Sequence, residues 1–418
     1  MYKQDYAKNK TFKLVYNPPF ANNYARTLLL LDHGKGCYLF DADGNRYLDF
    51  GSGIAVNALG HGREDLAAIA AEQMKKIVHV SNLYTTEPAL QCAGRLMHLG
   101  NFDAVYFGNS GTEAVEAALK FARLYALRTK GEGHHRIASF SGAFHGRTMG
   151  ALSATHTPAY QDPFRPLVPG CTALPYNDVD ALKNNLDDSY AAVIVEPLQG
   201  EGGLRSVTPG FAEALNSICR EMDIVLIADE VQTGLGRTGE ILACSWAGLN
   251  PDMVTLAKPL AGGLPLSAVL VPERINKQIN VGEHASTFGG GPVTTAVAGA
   301  VLDIICDAGF IKRVQEAGEH LHRRLKEICQ SSTLAKEVRG HGLLAGIAVG
   351  YPEKDAKLRM GSLIEKLQDR GLLALRSGTN ILRIAPPLII EKDQIDEGCD
   401  IIAAVLAEET EYVPRRQT

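Results

Sequence analysis

The chain lacks several of the signatures that would settle its class at once. No stretch approaches about 18 uninterrupted apolar residues, the length a membrane-spanning helix needs, so no membrane partner is expected. The eight cysteines (Cys37, Cys92, Cys171, Cys219, Cys244, Cys306, Cys329 and Cys399) are scattered, and none forms CxxC. That spacing excludes a dense disulfide framework or a zinc site, so no metal is expected. A net charge of −5 leaves no electrostatic footprint for nucleic acid or an acidic membrane. HExxH, a Walker lysine and the Ser-His-Asp order are all missing, which leaves the common hydrolases and phosphate-transfer enzymes without candidates. Met1 to Lys13 is lysine-rich but has no apolar core, unlike a secretory signal. A reducing cytoplasm is the expected setting.

What the chain does have is the content of an ordinary soluble globular protein, long enough that one large and one smaller domain are expected. Its centre is Ile224 to Lys258. The apolar run Ile224-Val225-Leu226-Ile227-Ala228 drives into Asp229-Glu230, and a second run, Met253-Val254-Thr255-Leu256-Ala257, ends on Lys258. Both runs are short and aliphatic, which predicts buried strands. In a parallel sheet an acid and a lysine at strand ends share the carboxyl edge, where open α/β folds bind ligands. A carboxylate and an amine held together there suggest a carbonyl cofactor carried as a Schiff base.

Further strands are predicted at Ala104–Phe107, Ile137–Phe140, Ala192–Val195 and Ser267–Leu270, with helices between them, among them Thr112 to Thr129. That helix is expected to bury Val115, Leu119, Ala122 and Leu127 and to leave Glu113, Glu116, Lys120 and Arg123 largely solvated. The alternation predicts an α/β fold with a mainly parallel sheet covered on both faces. Gly36–Phe40 and Tyr47–Phe50 read as a hairpin, and Gly51–Val56 as a small-residue loop. Residues 1 to about 30 carry no regular pattern. After Pro292 two long helices, three short strands and a terminal helix from about Lys392 predict a small domain. Its expected composition is 1–60 and 296–418, around a large domain of 61–295.

Several loops at predicted strand ends carry chemistry. Ser110-Gly111-Thr112 joins a strand to a helix and makes an anion seat, or simply a helix cap. Phe144-His145-Gly146-Arg147 offers an aromatic face and a guanidinium suited to a flat ring and a carboxylate; a packed Phe and a surface Arg are the bland alternative. Glu196 to Gly203 brings two carboxylates onto a glycine-rich loop, and His284 to Gly291 is a hydroxyl-bearing loop. Arg383 lies inside the apolar run Leu382-Arg383-Ile384 and needs a partner, structural or bound. Gly234 to Gly239 matches GxGxxG letter for letter, but residues 229–233 separate it from its strand and no amphipathic helix follows. The dinucleotide reading is rejected.

Taken together and in this order, the segments resemble the class III, fold type I aminotransferases that use pyridoxal 5′-phosphate, from about Gly36 to Pro387. Gly53 to His61, Ser81 to Tyr84, Asn109 to Ala114 and Val195 to Gly203 look most like the acetylornithine branch. The resemblance implies that Lys258 carries the cofactor, Asp229 pairs with its ring nitrogen, and Gln232 lies near its phenolic oxygen. Ser110, Gly111 and Thr112 would hold its phosphate, and Phe144 and Val231 would contact the ring. Thr287 would reach the phosphate of a neighbouring subunit, making a homodimer the functional unit. Arg147, with Ser286 lining the pocket, would clamp the carboxylate of acetylornithine. Arg383 would take that of 2-oxoglutarate, with Glu201 masking and releasing it in a ping-pong cycle. Pro259 and Gly291 depart from the family, which usually has a small residue after the lysine and an Asn before Pro292. Rival readings are other ω-amine donors (succinylornithine, ornithine, 4-aminobutyrate, succinyldiaminopimelate) and a non-catalytic α/β binding protein. Ile54, where the ornithine enzymes tend to be aromatic, weighs against free ornithine.

Overall fold

The computed structural model describes residues 20–27 and 29–410; the expectation for residues 1–19 lies outside them. Seven strands form the central sheet, in the order Ala104–Gly108, Ser267–Val271, Met253–Leu256, Val225–Asp229, Tyr190–Val195, Arg136–Phe140, Cys171–Leu174. All run parallel except Ser267–Val271, which is antiparallel to both neighbours. The four strands from Tyr190–Val195 to Ser267–Val271 are buried at every position, as the unbroken apolar runs require of a sheet covered on both faces.

Helix Gly111–Lys130 packs on this sheet through Val115, Leu119, Ala122 and Ala126. The last of these corrects the expected core face. A stripe spaced four, three and four residues reaches Ala126, not Leu127, and Leu127 is 51% exposed. Glu116 is likewise only half-exposed and accepts the backbone N–H groups of Gly150 and Ala151, at 2.7 and 3.2 Å.

Segments far apart in the chain meet in two further sheets. Antiparallel strands Leu31–Lys35, Tyr38–Asp41 and Arg46–Asp49 are extended by Leu372–Leu373, which pairs parallel to Arg46–Asp49. A second antiparallel sheet orders Ala335–His341, Leu344–Val349, Ile381–Ile384 and Leu375–Ser377. Helices Ala308–Ser331 and Glu353–Asp369 pack on it, and Lys392–Thr410 packs on those two helices. Helix Pro292–Ile305 instead packs on helices Glu64–Lys76 and Glu87–Met97. Among the described residues no single helix is long and apolar enough to cross a membrane.

The loop expected at 51–56 is a tight turn of unusual hand. Ser52, Gly53, Ile54 and Ala55 all have positive φ, between 47° and 64°. Side chains rarely adopt this conformation, so its surroundings must enforce it. Asp49 accepts the N–H groups of Gly51 and Ser52 at 2.9 and 2.7 Å, and the Ser52 hydroxyl donates to the Ala385 carbonyl at 2.7 Å. The rejected GxGxxG segment joins parts of the chain far apart in sequence. Buried Arg237 donates from one Nη to the carbonyls of Leu343 (3.1 Å) and Pro386 (2.5 Å), and Leu343 donates its N–H back to Arg237.

Candidate active site

Parallel strands put their carboxyl ends on one edge, and this sheet gathers five site segments there. Asp229 closes its strand, Glu196 follows Val195, Lys258 follows Leu256 by two residues, and Phe144–Arg147 follows Phe140. Gly111 opens the helix after Ala104–Gly108. A cavity of about 250 Å³ results, lined by residues that include Gly111, Thr112, Phe144, Arg147, Glu201, Asp229, Val231, Gln232 and Lys258.

At its floor Asp229 is almost fully buried and heavily hydrogen-bonded. One carboxylate oxygen accepts from Val231 N–H and the Thr255 hydroxyl, both at 3.1 Å. The other lies 2.6 Å from His145 Nδ1. The in-register pairing of Asp229 with Thr255 across the parallel strands supplies the hydroxyl. Burial works to lower the His145 pKa, but the hydrogen bond and charge of Asp229 outweigh it, so the imidazole titrates above its ordinary value. Sequence reasoning gave His145 no role, because 84 residues separate it from Asp229. Glu196 was equally underrated. Its carboxylate accepts from Phe144 N–H (2.9 Å) and Gly200 N–H (3.3 Å), tying two loops together, and burial lifts its pKa to about 7.

Lys258 makes no hydrogen bond or ion pair among the described residues. Burial lowers its pKa, against the pull of Asp229, so its amine is more readily neutral than a surface lysine's. Pro259 is accommodated without loss. It lies inside a turn closed by Leu260 N–H donating to the Ala257 carbonyl at 2.7 Å, so its missing N–H costs no bond there. Gly291 similarly stands just before Pro292 at the first position of its helix, where proline is well tolerated.

Another part of the cavity lining suits an anion. Helix Gly111–Lys130 has no side-chain cap, because the Ser110 hydroxyl turns away to Glu113 at 2.8 Å. Gly111 and Thr112 therefore present the helix N-terminus to the cavity, and Ser110 does not line it. Close packing explains the glycines. A Cβ on Gly111 would lie 2.6 Å from Val231 Cγ1, and one on Gly146 only 2.2 Å from Thr112 Oγ1.

Two arginines approach with opposite surroundings. Arg383 is 3% exposed, and one Nη donates to the Gly200 carbonyl (3.0 Å) and to Glu201 Oε1 (2.5 Å). Its Nε is buried without a partner. Arg147 is exposed, has no carboxylate or hydrogen-bond partner among the described residues, and stacks on Tyr160 with 3.6 Å from guanidinium carbon to ring centroid. Ser286 and Thr287 are not part of this cavity. Ser286 Oγ accepts from Asn109 Nδ2 (3.3 Å) and Gly289 N–H (3.0 Å), and Thr287 lines a separate hollow with Tyr84 and Phe288. The site as built brings together an uncapped helix N-terminus, a buried carboxylate, a buried amine and the guanidinium of Arg147, unpaired among the described residues, with Arg383 behind Glu201 and not itself lining the cavity.

Comparison with known proteins agrees with that chemistry. Residues 19–406 match the family described as aminotransferase class-III. A probable mitochondrial acetylornithine aminotransferase of Dictyostelium discoideum is 42% identical over 385 residues, covering 90% of this chain and 83% of the relative. The ornithine aminotransferase of Toxoplasma gondii ME49 superposes with a TM-score of 0.88 at 31% identity, covering 94% of this chain and 93% of that one. The acetylornithine aminotransferase of Elizabethkingia anophelis gives 0.82 at 33% identity, covering 93% and 96%. An amine, a buried acid and an anion seat along one sheet edge, in a chain matched over nearly its whole length, make this protein a member of the class III aminotransferase family.

Proposed function

We propose that the protein transfers the terminal amino group of N2-acetyl-L-ornithine to 2-oxoglutarate, with pyridoxal 5′-phosphate bound at the Lys258 cavity. The unlike states of the two arginines carry this reading. A transaminase that takes a terminal amine and gives it to a 2-oxo acid must admit one substrate with its carboxylate far from the reacting amine and another with its carboxylate close by. Arg147 is unmasked and suits the first, while Arg383 is neutralised by Glu201 until the second arrives. The names of the relatives support the same donor.

The cavity fits the cofactor's chemistry. Gly111 and Thr112 would hold the phosphate at the helix N-terminus, Asp229 would pair with the ring nitrogen, Gln232 would serve the phenolic oxygen, and Phe144 and Val231 would contact the ring; all of them line the cavity. Bound there, pyridoxal phosphate supplies a carbonyl that accepts the amino group and an electron-withdrawing ring. Asp229, pinned by His145 and Thr255, keeps a proton at the ring nitrogen. The Lys258 amine, whose burial favours the neutral form, would move a proton at the substrate carbon that carries the amino group.

A homodimer forms part of the proposal. Leu83, Tyr84 and Phe288 are 86%, 73% and 67% exposed, an apolar surface that favours a partner, and Thr287 lies among them. On the partner's cavity Thr287 would add to the phosphate seat and Ser286 to the donor pocket. We place the protein in the cytoplasm, where its eight free thiols suit a reducing medium. The joining of both end segments in one small domain is supported by the pairing of Leu372–Leu373 with Arg46–Asp49, while helix Pro292–Ile305, packed on Glu64–Lys76 and Glu87–Met97, moves the boundary of the large domain from 295 to about 305.

A panel of amines with 2-oxoglutarate as acceptor tests the donor. Acetylornithine should give the highest kcat/KM. A clear win for ornithine or 4-aminobutyrate would replace the proposed donor.

A further inference from the structure

We propose that Tyr160 is the positioning residue that fixes donor selectivity, by holding Arg147 in place with its charge uncompensated. The inference rests on Arg147 receiving the donor's carboxylate.

Arg147 and Tyr160 make the closest of the arginine–ring contacts, 3.6 Å to the centroid. Phe144 stands on a further side, 5.5 Å from the guanidinium and edge-on to Tyr160, with ring planes at 86°. Five other arginines among the described residues also stand over a tyrosine ring: Arg26, Arg46, Arg136, Arg274 and Arg359. The last four also hold a carboxylate, Glu397, Asp187, Asp252 and Glu409 respectively, while Arg26, exposed and far from the cavity in sequence, holds none among those residues. Arg147 has none among the described residues. It therefore keeps the orienting half of a familiar pair and leaves the acidic half to be supplied from outside.

The chemistry of the stack explains why a tyrosine serves here and a carboxylate would not. A ring faces the flat side of the guanidinium and attracts its charge without using any of its N–H groups. The edge donors remain available for a two-point bond to an incoming carboxylate. An acidic neighbour would occupy those donors, as Glu201 does at Arg383. Stacking also restricts a long side chain before the substrate arrives, so less freedom is lost on binding.

Tyr160 is itself held firmly. It lies on the short helix Pro158–Gln161, and its N–H donates to the Thr157 carbonyl at 2.8 Å. The next residue, Gln161, is buried and donates from its side chain to the carbonyls of Leu152 (3.0 Å) and Ser153 (3.4 Å). The Tyr160 hydroxyl makes no hydrogen bond among the described residues, so the ring and not the hydroxyl carries the function.

The test compares the holoenzyme with Tyr160→Phe, Tyr160→Leu and Arg147→Ala in separate half-reactions. Tyr160→Leu should raise KM for the carboxylate-bearing donor about fivefold, the upper size of one exposed cation–π contact, and leave kcat within about twofold. Tyr160→Phe should stay within about twofold throughout. KM for 2-oxoglutarate and for a carboxylate-free diamine of the same length should not change. Calorimetry supplies a readout free of turnover. An N-acyl 2-amino acid lacking the terminal amine should bind Tyr160→Leu about fivefold more weakly than wild type. Tyr160→Met gives the same comparison should the leucine variant fail to fold. An unchanged donor KM in Tyr160→Leu, or a rise shared by the diamine and the oxo-acid, overturns the proposal. When Arg147→Ala weakens the donor and Tyr160→Leu does not, Tyr160 alone loses its role. When neither does, the assignment of Arg147 falls as well.

Discussion

Replacing Gly111 by alanine should weaken cofactor binding far more than it weakens the fold. The added Cβ would lie 2.6 Å from Val231 Cγ1 and 3.1 Å from Cγ2. Ordinary contact begins at 3.4 Å, so Val231 must retreat by 3.4 − 2.6 = 0.8 Å. With the cavity open, Val231 can yield into it at little cost. With the cofactor in place that route is closed, and the Val231 backbone, whose N–H donates to Asp229 at 3.1 Å, resists as well. Overpacking of this kind costs about 1–3 kcal/mol, which is a loss of about 5- to 150-fold in affinity for pyridoxal phosphate. Equilibrium dialysis would measure it, with the melting temperature of the cofactor-free protein as the control. Adding Val231→Ala removes both offending methyl groups and should restore most of the affinity. Wild-type affinity in Gly111→Ala, or a double variant as weak as the single one, would refute the reasoning.

Glu201→Gln should separate the two half-reactions. Without the carboxylate the buried Arg383 charge is uncompensated when the amino donor is bound, so donor kcat/KM should fall about tenfold while KM for 2-oxoglutarate holds or improves; an equal loss in both would argue against masking. The Asp229–His145 pair predicts a pH signature. His145, facing Asp229, Glu196 and His156, titrates above 6.5 in the folded protein, so its contribution to stability is full below pH 6.5 and is lost as pH rises through the raised value. The gap in melting temperature between wild type and His145→Asn should therefore narrow from pH 6 to 9, and a constant gap would contradict the pairing.

Much of the site was legible because strand ends are local events. A buried apolar run that stops on Asp229 or precedes Lys258 declares its own edge position, and the parallel sheet then brings those edges together. Gly111 and Thr112 were readable for the same reason, as a strand-to-helix joint. Local patterns do not report which side chains meet across the sheet. His145 to Asp229 spans 84 residues and Arg147 to Tyr160 crosses between a loop and a short helix, so neither contact leaves a periodic trace. The pairing of Leu372–Leu373 with Arg46–Asp49 is invisible for the same reason. Helix Glu353–Asp369 is a different case. Its buried residues Ala356, Met360, Leu363 and Leu367 are spaced four, three and four apart, a detectable stripe obscured by the charges around it. Only a whole-chain resemblance could attach roles to Ser286 and Thr287, because within one chain the Lys258 cavity excludes them.

The central claim is that Lys258 is the residue that carries pyridoxal phosphate. Borohydride reduction of the cofactor-loaded protein, followed by peptide mass mapping, tests it most directly. The account predicts a single modified peptide bearing the cofactor on Lys258, and no such label in Lys258→Ala. Label on another lysine, or equal label in the alanine variant, would contradict it.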